Sequence, residues 1–452
     1  MALNNLPSSL QSVIQQGYLE REFHEALRAR LGFRAIADRE NFMAGIGETI
    51  TKTRTGLLPA ITAPLAAPAN TDITSGLTPQ NYSVEQYVLS ISQYAANMQL
   101  NVATSKVAIA DLFLNNARTL GEQAVRSVDT LAANSLFAAY LGGNTRVRVT
   151  LGAPATTVSV DDIRGFQYVP NAAGQMVAVS VSNTLSVTVG ADVYTLTGVA
   201  ADGSNVSTTP NGISGTLTFS GNVTVADATA GNAVTSAIAP TIIRPSTTSG
   251  GVMAATTAAI SSSTDLNNGK LTIQMLLAAK AQLEANNVPK VAATGMYHAY
   301  CDPVHLTGLY ADPAFQYFFR GQKDSAEYRK GAIAELLGMS VIETNLNPVQ
   351  TLSGVGTVRR AMVVGQGALV EGVFTRDGYE AANGVDDGNL TIVVDDIAHV
   401  TREPIDSLKQ VVTQTWSYIG GFVAPTDITT NPNTIPTATN AALKRAIVVE
   451  SL

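Results

Sequence analysis

Residues 106–131 read KVAIADLFLNNARTLGEQAVRSVDTL and determine the fold expected for this chain. Apolar side chains recur there at intervals of three and four, and the same face continues to residue 137. Glu122 and Arg126 stand four apart on the other side, where an ion pair supports a helix. The pattern predicts one helix over 106–141 that ends at Gly142-Gly143. At 1.5 Å per residue it would be about 54 Å long, enough to cross a whole subunit.

Two stretches of alternating side chains precede this helix. Residues 48–55 (ETITKTRT) and 83–94 (SVEQYVLSISQY) show the alternation of exposed strands. Residues 56–81 lie between them and contain four prolines but no lysine or arginine, which excludes a helix or a central strand. We therefore expect 46–105 to form an extended two-stranded loop, which needs a supporting surface because an isolated ribbon is marginal in water. Residues 1–45 are expected to form an N-terminal arm with helical pieces.

The composition changes sharply after the long helix. From Gly165 to Ile243 the charged residues are Asp192, Asp202 and Asp227 alone. Short β-branched stretches alternate with Asn, Gly and Asp-Gly turns at a spacing of about 8–12 residues, which is typical of a small sandwich or barrel. We expect residues 145–264 to be an inserted, sandwich-like all-β domain with linkers.

Helices and strands are interleaved from residue 265 to residue 452. Residues 271–287 predict a helix, and Asp302-Pro303 predicts the N-cap and first residue of a short one. A further helix is predicted over 324–337, closed by Gly338. The whole chain is therefore predicted to be α+β. Strands are predicted at 339–344, 359–365, 390–396, 408–420 and 444–450.

The composition argues against an enzyme and against a general nucleic-acid binder. Charged residues make up 14% of the 452 residues, against about 25% in typical proteins. The net charge of −7 lacks the basic excess of nucleic-acid binders. One cysteine and four histidines leave little material for disulfides or a metal centre. Because no signal peptide and no run of about 18 apolar residues is present, we expect no membrane association and synthesis in a cytoplasm.

Several residue groups resemble reactive sites, but none predicts catalytic, cofactor-binding or metal-binding residues. Cys301 has histidines nearby but no base or oxyanion donor that the sequence identifies, so a buried thiol is the favoured interpretation. Paired aspartates on a strand point to opposite faces, although a calcium site at Asp386-Asp387 stays open. Residues 363–372 lack the third glycine and the Gly-Lys-Ser/Thr ending of phosphate-binding loops. The remaining members of these groups are His298, Asp302, His305, Asp161-Asp162 and Asp395-Asp396.

The order of elements is more distinctive than any of these groups. An arm, an extended loop, one very long helix and an α/β remainder closed by strands resemble a tailed-phage major capsid protein of the Hong Kong 97-type fold. Residues 47–61 (GETITKTRTGLLPAI) are similar to the extended loop of that family, and 106–131 to its spine helix. The similarity to the podophage-type branch lies in LTIQMLLAAKAQLEANNVP (271–289), YHAYCDPVHLTGLYADPAF (297–315) and GAIAELLGMSVIETN (331–345). The resemblance covers about 1–144 and 265–452, leaving the inserted segment outside it.

The resemblance implies a structural protein rather than an enzyme. It makes 106–144 the spine helix of a peripheral domain, and 265–452 an axial domain with the return strands of the peripheral domain. It also implies hexamers and pentamers in an icosahedral head around double-stranded DNA, assembled in the host cytoplasm and located in the virion. Separate scaffolding and portal proteins are expected, and a decoration protein is compatible with the fold. The residues expected at inter-subunit contacts are Lys52, Arg54, Leu57, Leu58, Tyr87 and Leu89.

Two other classes of protein share part of this pattern. An encapsulin-like nanocompartment protein has the same fold but more often lacks an inserted β-domain. A secreted or surface filament or adhesin protein would share the low cysteine content and the bias toward Ser, Thr, Ala and Gly. That class predicts paired coiled-coil helices at both termini or a signal peptide, and the sequence shows neither.

Overall fold

A computed structural model gives the fold of the chain. It describes residues 19, 21–23, 32–42, 49–58, 60–62, 84–101, 109–171, 175–203, 212–245, 252–253, 266–319, 335–352, 356–374, 390–402, 404, 407–408, 410–425 and 441–452. The α-helices of this part are α1 (Ile109–Leu141), α2 (Ile273–Ala285), α3 (Pro303–Ala311) and α4 (Pro313–Phe319). Short 3₁₀ turns lie at Phe33–Ile36, Leu266–Gly269 and Ala441–Leu443.

Strands make up most of the remaining regular structure, so the architecture is mixed α+β and rich in sheet. The strands before α2 are β1 (Asp38–Phe42), β2 (Thr49–Thr55), β3 (Val84–Ser90), β4 (Ser92–Asn101), β5 (Asn144–Arg146), β6 (Ala155–Val160), β7 (Tyr168–Pro170), β8 (Met176–Ala178), β9 (Leu185–Val189), β10 (Asp192–Ala201), β11 (Gly215–Val223), β12 (Ala233–Ser236), β13 (Ile242–Pro245) and β14 (Val252–Met253). The strands after α2 are β15 (Tyr297–Cys301), β16 (Glu335–Leu336), β17 (Met339–Glu343), β18 (Val349–Leu352), β19 (Gly356–Val364), β20 (Val370–Phe374), β21 (Leu390–Val394), β22 (Ile397–Arg402), β23 (Val411–Val423) and β24 (Ala446–Ser451).

Helix α1 spans two separate cores because its apolar stripe runs along its whole length. Its 33 residues confirm the predicted long helix and correspond to about 50 Å. In its middle part, Leu120 and Val128 belong to a cluster that contains Trp416. In its second half, Phe137 belongs to a cluster that contains Val448. One rod therefore connects the two large sheets of the subunit.

The first half of α1 lies on a six-stranded sheet, here called the spine sheet. Its order is β1-β20-β23-β22-β21, and β4 also pairs with β23. Gly420 of β23 pairs with Val373 of β20 and with Ser92 of β4, so these two strands lie on opposite sides of β23. Strand β4 is an edge strand, since β23 is its only strand partner among the described residues.

The second half of α1 lies on an eight-stranded sheet, here called the large sheet. Its order is β14-β13-β24-β19-β15-β17-β16, with β18 paired to β19. Helix α2 packs on this sheet through side chains that include Leu276 and Leu283. Asp302 caps α3 as predicted: its side chain accepts a hydrogen bond from the backbone N–H of His305, and the His305 side chain accepts one from the N–H of Asp302.

The segment after α1 forms one antiparallel sheet that closes on itself, here called the barrel. Its order is β5-β12-β9-β10-β11-β6, and a bridge between Val147 and Val160 joins the two outer strands. Its buried apolar side chains, among them Leu196 and Leu217, form a cluster of their own. The sandwich-like arrangement expected from the sequence is thus replaced by a closed sheet, because β5 returns to β6 at that bridge.

Three sequence boundaries differ from the structure. Strand β13 (Ile242–Pro245), expected in the inserted segment 145–264, pairs with β24 in the large sheet. Strand β4, expected in the extended loop 46–105, belongs to the spine sheet because a break at Ile91 separates it from β3. Most of the helix predicted over 324–337 lies outside the described residues. Its last part is strand β16, since Leu337 and Gly338 both have positive φ and form the turn to β17.

Candidate assembly surfaces

The hairpin of β2 and β3 is anchored on its own subunit. The two strands pair in antiparallel register from Thr49↔Ser90 to Thr55↔Val84, as their alternation predicts. Tyr87 and Leu89 occupy one face of β3 and are 3% and 0% exposed. They form a cluster with residues that include Val370 of the spine sheet. The structure therefore corrects the expectation that Tyr87 and Leu89 face a neighbouring subunit, because their own chain covers them.

The two basic residues of β2 also have partners within the chain. Arg54 forms an ion pair with Glu85 at 3.0 Å and donates hydrogen bonds to the carbonyl oxygens of Gly367 and Leu443. Lys52 forms an ion pair with Glu40 at 2.6 Å and remains half-exposed. Arg54 is thus fixed to its own chain through its two terminal guanidinium nitrogens, while its Nε has no hydrogen-bond partner. The expectation that Lys52 contacts a neighbouring subunit stays a prediction, since nearly half of its side chain is exposed.

The chain beyond β2 presents apolar side chains to solvent. Leu57, Leu58 and Ile61 are 59%, 53% and 77% exposed. Residues 56–58 and 60–62, here called the tip segment, carry no charge. Apolar side chains that cluster on a surface mark interaction sites more often than isolated ones do. The predicted contact residues Leu57 and Leu58 are therefore available to a partner, and Ile61 joins them.

A groove lies between β4 and α1. Its volume is about 1030 Å³, and it is lined by residues 93–98 of β4 and by α1 residues between 119 and 131. Trp416 also lines it and donates a hydrogen bond to the side-chain oxygen of Gln123 at 3.1 Å. Consecutive residues of β4 line the groove, so side chains from both faces of the strand and the backbone between them border it.

A buried ion network ties the N-terminal arm to the spine sheet. Arg34 forms an ion pair with Glu371 at 2.7 Å, and the Tyr418 hydroxyl donates to the same carboxylate oxygen at 2.8 Å. Burial together with the Glu371 charge raises the pKa of Tyr418 well above its ordinary value, so its hydroxyl stays a donor. The backbone N–H of Arg34 donates to Asp129 of α1 at 3.0 Å. The arm around Phe33–Ile36 is therefore fixed to sheet and helix together.

A second buried network joins the barrel to the large sheet. The Glu450 carboxylate on β24 forms ion pairs with Arg146, Arg244 and Arg360 at 2.7, 2.8 and 3.2 Å. Burial alone would raise the pKa of Glu450, but the three guanidinium groups hold it well below its ordinary value. Burial also lowers the pKa of Arg244 to about 10. This network, here called the Glu450 hub, connects strands β5, β13, β19 and β24.

The residues that resembled reactive sites have structural surroundings. Cys301 is fully buried, and burial with the nearby Asp302 charge raises the pKa of its thiol to about 12. His305 is part of the α3 cap, and burial lowers its pKa to about 4. Asp395 and Asp396, both with positive φ, form the turn between β21 and β22.

Of the remaining candidate sites from the sequence, the glycine-containing segment 363–372 lies within the residues that the structure describes. Gly365 and Gly367 lie in a turn between strands β19 and β20. Asp386-Asp387 lies outside the described residues. Within the part of the chain that the structure describes, no group of three His, Cys, Asp or Glu residues is placed to hold a metal ion. None of the described helices is both long enough and apolar enough to span a membrane.

Sequence reasoning missed the groove and the two ion networks. The alternation of Tyr94, Ala96 and Met98 signals a strand, but which of its edges stays open depends on β23, more than 300 residues later. Arg244 and Glu450 stand in apolar runs, IIRP and IVVES, and a charge within such a run is a signal of burial with a partner. The identity of that partner cannot be deduced from either run.

Comparisons with known proteins give similarity in structure. No protein-family model matches the chain, and no curated protein is similar to it in sequence. The capsid of Ralstonia phage GP4 aligns with 94% of this chain and 92% of its own, at a TM-score of 0.46 and 12% identity. The capsid structure of cyanophage P-SCSP1u aligns over 93% and 88%, at 0.44 and 11%. The capsid asymmetric unit of cyanophage Pam1 aligns over 90% and 85%, at 0.44 and 10%. Because identities and TM-scores are this low, we argue the function from the chain's own residues.

Proposed function

We propose that this chain is the major capsid protein of a tailed bacteriophage. It self-assembles as hexamers and pentamers into an icosahedral shell that encloses double-stranded DNA. The observation that carries the proposal is the uncharged, exposed tip segment at the end of an anchored hairpin. Leu57, Leu58 and Ile61 keep more than half of their surface exposed in the subunit, and a partner is needed to cover it.

The way the hairpin is anchored favours an assembling subunit over a flexible monomer. Tyr87 and Leu89 bury its inner face, and Arg54 fixes the end from which the tip segment leaves. Because the hairpin is fixed on its own subunit, the tip segment leaves every subunit in the same direction. It can therefore contact the same surface on each neighbouring subunit. Such a contact between two different surfaces of one chain closes into rings when the rotation is suitable. Rings of six and five copies are the units of an icosahedral shell.

The rest of the architecture fits the Hong Kong 97-type fold that the sequence resembles. The long α1 connects two sheets, as a spine helix connects a peripheral and an axial domain. The barrel has a hydrophobic core of its own, which supports an inserted domain after that helix. In this proposal the domains are the arm 1–45, the extended loop 46–105, the spine helix 106–144, the inserted domain 145–264 with the structural correction at β13, and the axial domain with return strands 265–452.

The partners follow from the same proposal. The shell encloses DNA through its inner face without sequence recognition, which suits a subunit with a net charge of −7 rather than a basic one. Separate scaffolding and portal proteins direct assembly in the host cytoplasm, and a decoration protein can bind the finished virion. The protein has no catalytic role. One of the two features expected of a filament protein is a coiled coil at each terminus, and β24 (Ala446–Ser451) lies inside the large sheet instead.

The test is to replace the exposed apolar side chains of the tip segment. Purified chain is expected to form closed shells in negative-stain microscopy. The triple variant Leu57→Ser, Leu58→Ser and Ile61→Ser is expected to remain folded, with an unchanged circular dichroism spectrum, and to form no closed shells. Each substitution removes apolar area that only an assembled neighbour would bury, so the subunit itself loses little stability.

A matched control is available on the barrel. Val149, Val181 and Val193 are 58%, 82% and 69% exposed, so their replacement by serine removes a similar exposed apolar area. This control variant is expected to form shells at the level of the unmodified chain. Normal shells from the tip variant, or equal failure of both variants, would contradict the proposed role of the tip segment. Filaments from the unmodified chain would contradict the proposed function.

A further inference from the structure

Three buried polar side chains of the spine sheet have hydrogen-bonding atoms that their own chain does not use. His399, Thr401 and Gln414 are 0%, 1% and 0% exposed. Both ring nitrogens of His399, Oγ1 of Thr401 and Oε1 of Gln414 have no hydrogen-bond partner among the described residues. A buried polar atom without a partner destabilises the folded chain, so native proteins rarely keep several of them side by side.

The three side chains lie next to one another on one face of the spine sheet. Thr401 of β22 pairs directly with Gln414 of β23, and His399 pairs with Trp416. Directly opposed residues point to the same face, with Cβ atoms about 5 Å apart, and residues two apart on a strand share a face at about 7 Å. Trp416 belongs to the cluster that contacts α1. The three side chains therefore meet inside the contact between the spine sheet and α1.

Two further parts of the chain enclose these side chains. The amide nitrogen of Gln414 donates to the carbonyl oxygen of Phe113 on α1 at 3.3 Å, which orients the amide and leaves its oxygen available. The ring of Phe23, from the N-terminal arm, lies 4.9 Å from the ring of His399 between centroids. Phe113 and Phe23 are both 0% exposed. Helix, sheet and arm together thus separate the polar atoms from bulk solvent.

The chemistry of these atoms selects a small neutral ligand. An imidazole, a hydroxyl and an amide carry no charge here, since burial lowers the pKa of His399 to about 4. A metal ion or an anion among them would be buried without a counter-charge, which is costly. The hydroxyl and the neutral imidazole each donate and accept a hydrogen bond, whereas the amide oxygen accepts only. The ligand must therefore both donate and accept, and water is the smallest molecule that does so.

We infer that a buried water molecule binds between Oγ1 of Thr401, Oε1 of Gln414 and one ring nitrogen of His399. The water donates to the amide oxygen and to the unprotonated ring nitrogen, and it accepts from the Thr401 hydroxyl. Three hydrogen bonds are the usual number for a buried water. A polar network whose bonds are all made favours one packing arrangement over its alternatives. This water therefore helps to fix α1 and the arm on the spine sheet. The inference concerns the interior of one subunit and does not rest on the proposed function.

A high-resolution structure of the full chain tests the site directly. Crystals of the subunit or assembled particles both serve, at a resolution where other buried waters are visible. We expect a density peak within hydrogen-bond distance of Thr401 Oγ1, Gln414 Oε1 and one nitrogen of His399. No peak at this position, or a direct hydrogen bond between Thr401 and Gln414 in its place, would overturn the inference.

The variant Thr401→Val gives a second test, in which the direction of the change decides. Valine has nearly the shape of threonine but no hydroxyl. If water is bound, the substitution removes one of its partners and should raise the equilibrium constant for unfolding in urea about fivefold or more at neutral pH. If no water is bound, the substitution removes a hydroxyl that lacks a partner, and the chain becomes no less stable. An unchanged or lower unfolding constant would therefore overturn the inference.

Thr415→Val is the matched control. Thr415 pairs with Val400 on the opposite face of the same two strands and is partly exposed, so the same atoms are exchanged away from the site. Its unfolding constant should change by about twofold or less, and the density peak should remain. Equal destabilisation by Thr401→Val and Thr415→Val would contradict a specific role of the Thr401 hydroxyl. If Thr401→Val does not fold, the density of the unmodified chain decides alone.

Discussion

At the scale of single residues, buried histidines make the stability of the subunit sensitive to pH. His399 on β22 is 0% exposed, its ring lies 4.9 Å from that of Phe23, and neither ring nitrogen has a hydrogen-bond partner. Thr401 and Gln414 form a cross-strand pair on the same face and also have unpartnered side-chain oxygens. Burial lowers the pKa of His399 to about 4, so the ring is neutral in the folded subunit at neutral pH.

We therefore expect the subunit to lose stability in mild acid. The unfolded chain binds a proton on His399 near pH 6.5, whereas the folded chain binds it only near pH 4. The contribution of neutral His399 to the free energy of unfolding is therefore fully present above pH 6.5. It is lost as the pH falls from 6.5 to 4, and the loss is on the order of 3 kcal/mol for one such histidine. His305 contributes with the same sign, because burial lowers its pKa to about 4 as well. Urea unfolding of the subunit at several pH values in this window measures the slope.

Two substitutions on the same face isolate His399. His399→Leu should flatten the pH dependence between 6.5 and 4 by about one proton, since the titrating group is gone. Thr401→Val removes a buried polar atom two residues away without removing a titrating group, so it should leave the slope unchanged. An equal slope for His399→Leu and the unmodified chain would contradict the assignment.

At the scale of elements, the packing of the β2–β3 hairpin on the spine sheet depends on one glycine. Gly421 on β23 lies so close to the backbone of Ser90, the last residue of β3, that a Cβ at Gly421 would overlap the Ser90 carbonyl oxygen. Because that oxygen is backbone, it cannot move aside as the end of a flexible side chain could. A side chain at this position must lift the base of the hairpin from the spine sheet.

Gly421→Ala is expected to destabilise the subunit by about 1–3 kcal/mol, the usual result of overfilling a packed contact. It should also speed tryptic cleavage at Lys52 and Arg54, since the hairpin loses its support. Gly221→Ala on β11 is the matched control, because a Cβ there meets nothing within 4 Å. A glycine-to-alanine change at an unstrained position is neutral or stabilises by at most about 1 kcal/mol. If the two variants had the same thermal stability and the same cleavage rate, Gly421 would not be needed for the packing of the hairpin on the spine sheet.

Elements that are determined by residues close in sequence could be predicted. Elements that depend on a partner strand elsewhere in the chain could not. Helix α1 follows from its own apolar stripe, and the α3 cap follows from Asp302-Pro303. Gly338 shows the limit of such reasoning. It was interpreted as the end of a helix, but it forms a turn with Leu337 because β16 pairs with β17. Glycine fits both structures, so the pairing partner determines which of them forms.

The candidate site divides in the same way. The exposure of Leu57 and Leu58 could be predicted from an uncharged, proline-containing loop. The cross-strand pairing of Arg54 with Glu85 also follows once the register of the hairpin is known. The third partner of Arg54, the carbonyl of Leu443, lies 389 residues away in sequence, and no local pattern points to it. The identity of such a distant partner could therefore not be deduced from the sequence.

At the scale of the whole molecule, the Glu450 hub determines where the inserted segment can be removed. Val147 donates to the carbonyl of Asn232 at 2.9 Å and accepts from the N–H of Gly231 at 2.9 Å. These positions are already neighbours across two strands, so a two-residue Asn-Gly turn can join them. Replacing residues 149–229 with Asn-Gly should therefore leave a subunit that folds and still forms shells in negative stain.

A replacement just inside the inserted segment 145–264 expected from the sequence gives the comparison variant. Replacing 150–262 with a short linker also removes β13, so Glu450 loses Arg244 and β24 loses its parallel neighbour. Glu450 keeps Arg146 and Arg360, but β24 is left with an unpaired edge. Because unpaired edges drive aggregation, we expect this variant to give no soluble folded subunit. Shells from the 150–262 replacement would show that β13 is dispensable. Failure of the 149–229 replacement would show that the barrel is part of the main core.

The Glu450 hub also governs how the chain reaches its folded state. Arg146 and Glu450 are 304 residues apart in sequence, and Arg244 and Glu450 are 206 apart. Closing loops of this length before their contacts can form makes folding slow. Until β24 is in place, β13 and β19 present unpaired edges, which are the surfaces that drive aggregation of incompletely folded chains. For a protein needed in many copies, the yield of competent subunits is thus set by a competition between this late closure and aggregation, well before any two subunits meet.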